Sequence, residues 1–128
     1  MDFEQALTAE LTAIPGLGSK VFPIVAPQDT EAPYLTYSLE SNERVQSLTG
    51  HDDLVHSQYQ LNLFQASYAG LKVLTKAVIR NLKTYNQRNI GGTGPYIQQV
   101  EILNELEAYE EGVKLYKGII EFDVHYSE

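Results

Sequence analysis

Along the first turns of the chain, Phe3, Leu7, Leu11 and Ile14 recur at spacings of four, four and three, which sets them on one face of a helix. Asp2 followed three residues later by Gln5 reads as a capping box, and Pro15-Gly16 ends the helix. The run Lys20 to Val25 is apolar and β-branched but broken by Pro23, so it predicts a short edge strand at best. A turn-rich stretch from Ala26 to Pro33 leads into a strand-like run, Tyr34 to Leu39. Residues Glu40 to Asp53 are polar and show no clear period, so they read as a long connecting loop of the kind that carries function or moves. Val55, Ser57, Tyr59, Leu61 and Leu63 then alternate with His56, Gln58, Gln60 and Asn62, the period of two that a half-buried strand requires.

Ser67 is placed to cap a second helix running to about Lys83, with Leu71, Leu74, Val78 and Leu82 as its apolar face and Val73 and Ile79 flanking it. Asn86 to Pro95 is a glycine-rich loop. Two strand-like runs follow, Tyr96 to Tyr109 and Lys114 to Tyr126, joined as a hairpin through Glu110-Glu111-Gly112. The resulting expectation is a single α+β domain over residues 1–128: a largely antiparallel or mixed β-sheet with two amphipathic helices packed on one face.

Composition narrows the function classes. The 128 residues fit one core, and 43% hydrophobic residues with nine tyrosines are the make-up of a packed globule. Cysteine is absent, which removes disulfides, thiol chemistry and the common structural zinc sites. No stretch approaches the roughly 20 consecutive apolar residues of a membrane span, and Met1-Asp2-Phe3-Glu4 lacks the basic start of a signal peptide, so a cytoplasmic origin is expected.

The net charge of −8 argues against general nucleic-acid binding, because such proteins neutralise phosphates with Lys and Arg. Its distribution is uneven. Residues 61–100 contain no acid and five bases, Lys72, Lys76, Arg80, Lys83 and Arg88, between two strongly acidic flanks. Lys72, Lys76, Arg80 and Lys83 fall four, four and three apart on the second helix, stacking positive charge in one stripe with no acidic partner at i, i+4. Arg80 and Lys83 complement the helix C-terminal dipole in a solvated face, or the stripe meets acids on another surface, a neighbouring copy being the first candidate and DNA the second.

Catalytic patterns are sparse. His51, His56 and His125 stand in different expected elements without metal-ligand spacing, and His51-Asp52-Asp53 is the only cluster of possible ligands. Gly91-Gly92-Thr93-Gly94 lacks the Gly-Lys-Ser/Thr ending of a phosphate loop and leads into a strand. Glu105/Glu107 and Glu110/Glu111 sit on an exposed strand or hairpin tip, where pKa shifts are usually small and a solvated face is the simpler reading. None of the seven serines lies in a Gly-x-Ser-x-Gly elbow.

An N-terminal helix, then Val21-Phe22-Pro23 and Ala26-Pro27, then Ala32-Pro33-Tyr34-Leu35-Thr36-Tyr37, then Tyr59-Gln60-Leu61-Asn62-Leu63-Phe64 leading into Ser67-Tyr68 and a helix, then a terminal hairpin, resembles the phage tail completion family. These are the tail-to-head joining, or tail terminator, proteins of long-tailed phages. The resemblance implies a structural virion protein without enzymatic activity or cofactor. It would cap the tail tube as a hexameric ring at the head-tail interface, after synthesis in the host cytoplasm. Its partners would be other copies of itself, the tail tube protein and the head connector, with DNA passing through unbound and no membrane involved. On this reading the interface residues are Lys72, Lys76, Arg80 and Lys83 on the helix and Glu43, Arg44, Asp52 and Asp53 in the long polar segment. The loops Gln28 to Glu31 and Glu40 to Asp53 would order on docking, and the acids Glu43, Asp52 and Asp53 would face the pore or the partner. Two other classes stay open from the residues: a small hydrolase built on His51, Asp52 and Asp53, and an acidic DNA-mimic adaptor or inhibitor.

Overall fold

The computed structural model describes residues 1–46 and 53–127. Helix α1 spans Phe3–Thr12, with the Asp2 carboxylate accepting from the Gln5 N–H and the Gln5 side chain accepting from the Asp2 N–H. The strands β1 (Val21–Pro23), β2 (Tyr34–Gln46) and β3 (Asp53–Gln65) follow, then helix α2 (Tyr68–Lys83), a two-residue β4 (Arg88–Asn89), β5 (Tyr96–Glu110) and β6 (Leu115–Ser127). Ser67 caps α2 by accepting from the Gly70 N–H.

The strands form one sheet in the order β1-β2-β3-β6-β5-β4. All pairs are antiparallel except β1 with β2, which run parallel in register Val21 to Leu35. The expected α+β class with a mixed sheet is what the chain adopts, and β1 is the short edge strand that Pro23 permits.

Both helices cover the same sheet face. On β3 the buried residues are Val55, Ser57, Tyr59, Leu61 and Leu63, and opposite them on β6 stand Tyr126, Val124, Phe122, Ile120 and Gly118. From α1, Phe3 stacks on Tyr126 with ring centroids 4.8 Å apart and tilts against Tyr59 at 5.2 Å. From α2, Leu71, Leu74, Val78 and Leu82 are all buried in the same core. Leu71 lies directly over Gly118, where an added Cβ would come within 3.1 Å of its Cδ1. The glycine is therefore what lets the helix sit down on the central strand.

Of the expected loop Glu40 to Asp53, residues 40–46 and Asp53 are strand, and residues 47–52 lie outside the described residues. β2 continues through Gln46, pairing Ser41 to Gln58, Glu43 to His56 and Arg44 to Val55. A register shift between Leu39 and Ser41 inserts an extra residue and breaks the alternation at the point where the period would have been read. Beyond it, Glu40 to Arg44 are exposed, so no buried set marks the strand, and cross-strand hydrogen bonds alone define it.

Candidate docking surfaces

The basic stripe lies on the solvent side of α2, its apolar side being taken by the core. Lys76, Arg80 and Lys83 are exposed, and their side chains make no hydrogen bond or ion pair among the described residues. Lys72 differs from the expectation of a partnerless stripe. Its ammonium sits 2.6 Å from Glu107 on β5, and Tyr68 donates to the same carboxylate at 3.0 Å. The hydrogen bond to Glu107 holds the Lys72 ammonium pKa above its ordinary value, and the Glu107 carboxyl is lowered by the same contact. This partner is distant in sequence, so spacing along the helix could not disclose it. Val73, 70% exposed, adds an apolar side chain beside Lys76.

Among the remaining expected interface residues, Glu43 and Arg44 stand on the exposed part of β2, not in a loop. Asp53 opens β3 opposite Gln46, while His51 and Asp52 lie outside the described residues. His56 and His125 face each other across β3 and β6 on the side of the sheet away from the helices, stacked at 4.1 Å. His56 Nε2 comes within 3.2 Å of Asp123 at an angle that makes no hydrogen bond. Among the described residues, no group of three or more His, Asp or Glu is arranged to hold a metal.

The glycine-rich loop is occupied by the protein's own carboxylate. Glu10 on α1 accepts from Arg88 Nη1 at 3.1 Å, from Arg88 Nη2 at 2.7 Å and from the Gly91 N–H at 2.8 Å. The Arg88 guanidinium holds the Glu10 carboxyl below the usual carboxylate range against the opposing effect of burial. Gly91 has φ +64°, and a Cβ there would meet the Ala6 backbone at 2.7 Å. These glycines serve close approach to α1, and the anion such a loop could cradle is Glu10 itself.

Sequence reasoning missed a groove of about 990 Å³ on the sheet face opposite the helices. Its floor is Tyr34 stacked on Phe64 at 4.6 Å, with Thr36 and Asn62 beside them. One wall is the segment from Ile24 to Ala32 and the other is the β5-β6 turn with Val113 and Leu115. Ile24, at φ +63°, is held by its N–H donating to the Tyr37 carbonyl at 2.7 Å, and its side chain is 76% exposed. A β-branched residue in the left-handed region costs on the order of 1–2 kcal/mol, and strain of this kind gathers at functional surfaces. Val25 is 74% exposed and Val113 54%, so the rim is apolar on both sides. Asp29, Glu31 and Glu110 supply carboxylates, and the lining amine Lys117 already binds Glu110 at 3.3 Å. Burial, aided by the Glu110 charge, raises the Tyr34 phenol above its ordinary value. The advance signals for this site were the loop Gln28 to Glu31, expected to take part in docking and found in one wall, and the separate aromatic positions Tyr34 and Phe64, which the β2-β3 register brings opposite each other.

No family model matches the sequence, and no curated protein matches it. Among solved structures, the fold is similar to that of a chain in the virion of a native gene transfer agent particle. The similarity covers 98% of this chain and 91% of that one, with a TM-score of 0.60 and 15% sequence identity. The two chains therefore share an architecture over nearly their whole lengths.

Proposed function

We propose that this chain is a structural protein of a phage-like virion, and within it a tail completion protein that closes the tail tube and joins it to the head as a hexameric ring. The observation that carries the reading is the end-to-end likeness in fold to a virion chain, which leaves little of either molecule unaccounted for. The surface supports the same direction. Its pronounced features are a basic helix face on which Lys76, Arg80 and Lys83 have no side-chain partner among the described residues, an exposed strand arm and a groove with apolar rims and carboxylates, all suited to contact with other proteins. The order of motifs along the chain, from the capped N-terminal helix to the terminal hairpin, supports the tail completion assignment within that class. Its partners on this reading are further copies of the chain, the tail tube protein and the head connector, with DNA passing through the ring. An acidic ring around a DNA channel repels the phosphate backbone and keeps the passing duplex from adhering.

The test is direct localisation. Particles purified from the source of this sequence should show the chain by electron microscopy as a ring between tail tube and head, and particles lacking it should accumulate unjoined heads and tails. A chain found in the head shell or baseplate, or normal joining without it, refutes the assignment.

A further inference from the structure

We infer that the groove opposite the helices receives helix α2 of a second copy of this chain, so that copies join head to tail. The inference rests on the ring reading above and names the two surfaces that meet. Both halves of the contact are present on one molecule, and within it only Glu110 of the groove is paired, with Lys117. α2 presents Lys76, Arg80 and Lys83 without partners among the described residues, with the exposed Val73 beside them. The groove presents the matching chemistry: an apolar floor of Tyr34 and Phe64 between the walls carrying Ile24 and Val113, with Asp29, Glu31 and Glu110 at its edge. Basic side chains flanking an apolar one thus face carboxylates flanking an apolar trough.

The placement of the two surfaces decides the kind of assembly. α2 packs on the sheet face formed by Leu61, Leu63, Gly118 and Ile120, and the groove lies on the opposite face, over Thr36, Asn62, Phe64 and Lys117. A single copy cannot bring them together. The pairing is heterologous, each copy giving its helix to one neighbour and its groove to the other, and such contacts propagate until they close as a ring. The raised energy of the Ile24 backbone belongs to this contact, because that conformation turns an aliphatic side chain outward to where the incoming helix lies.

Sedimentation velocity of the intact chain tests the pairing. At low salt the wild type should associate, and raising ionic strength from about 20 mM to about 500 mM should weaken association roughly tenfold or more, since the screening length falls to about 4 Å. Lys76→Glu with Arg80→Glu spoils the helix, and Asp29→Lys with Glu31→Lys spoils the groove. Each double variant alone should sediment as a monomer with wild-type circular dichroism, all four positions being exposed. Mixed together, they should co-assemble, because the intact helix of one meets the intact groove of the other, and the reversed helix, now acidic, meets the reversed groove, now basic. In this cysteine-free chain, Val73→Cys with Val113→Cys should give disulfide-linked multimers on oxidation. A wild type that stays monomeric at low salt and about millimolar concentration, either double variant assembling like wild type, or a mixture that fails to co-assemble overturns the pairing. These readouts do not depend on where the chain sits in a particle, so failure of the pairing and failure of the virion role are separately visible.

Discussion

Replacing Glu10 tests whether the glycine-rich loop is a structural clasp. Its carboxylate takes two hydrogen bonds from Arg88 and one from the Gly91 N–H, tying α1 to a segment some eighty positions away in sequence. Hydrogen bonds to a charged group are worth about 1.5–3 kcal/mol each when buried. Here the Glu10 and Arg88 side chains retain 19% and 39% of their exposure, so solvent screening reduces the Arg88 pair well below that range. The Gly91 N–H, left without its acceptor, adds roughly 1 kcal/mol. Glu10→Ala should therefore destabilise the fold by about 2 kcal/mol, lowering the melting temperature by roughly 6–10 °C for a domain of this size. The pH dependence has a definite sign. Because the folded carboxyl pKa is depressed, the stabilisation is fully present above the unfolded value of about 4.3 and is lost as pH falls through the folded value. Urea unfolding followed by circular dichroism should show a gap between wild type and Glu10→Ala that is full at neutral pH and narrows below about pH 4. Equal stabilities at neutral pH, or a gap unchanged by acid, would show that this carboxylate does not hold the loop.

The same contact makes Gly91 intolerant of any side chain: Gly91→Ala combines a left-handed backbone with a Cβ 2.7 Å from Ala6, so a loss of more than about 2 kcal/mol is expected by thermal denaturation. A variant as stable as wild type would mean that α1 shifts freely away from the loop. Phe122, fully buried at the centre of β6 with Tyr59 stacked at 5.9 Å, should lose about 3–5 kcal/mol on truncation to Ala. Denaturant titration giving less than about 1 kcal/mol would mean that the two helices do not share one core over this strand.

Local rules of the chain foretold much of the framework, and their failures have identifiable causes. Asp2, Gln5 and Ser67 act as caps because capping depends on backbone donors within three residues, and the period-two run in β3 is clear because that strand has one buried face. The strand beyond Leu39 escaped notice because a bulge displaces the alternation there and both flanks meet solvent. Lys72 was grouped with a free stripe because Glu107 reaches it only when β5 folds against the start of α2. The groove was illegible for a similar reason: its aromatic floor and its two walls come from three separate segments that only the sheet register and the covering loop assemble.

What this sequence determined by itself was the identity of its elements, the apolar faces they must bury and the segregation of charge, since all three follow from interactions between near neighbours along the chain. Tertiary structure decided which charges remain without partners and which surface lies opposite them. Ion pairs such as Lys72 with Glu107 and Arg88 with Glu10, and a groove on the face away from α2, depend on distances between residues far apart in sequence. Those distances are set by how the sheet orders its strands, with β6 between β3 and β5, and no local pattern encodes that order.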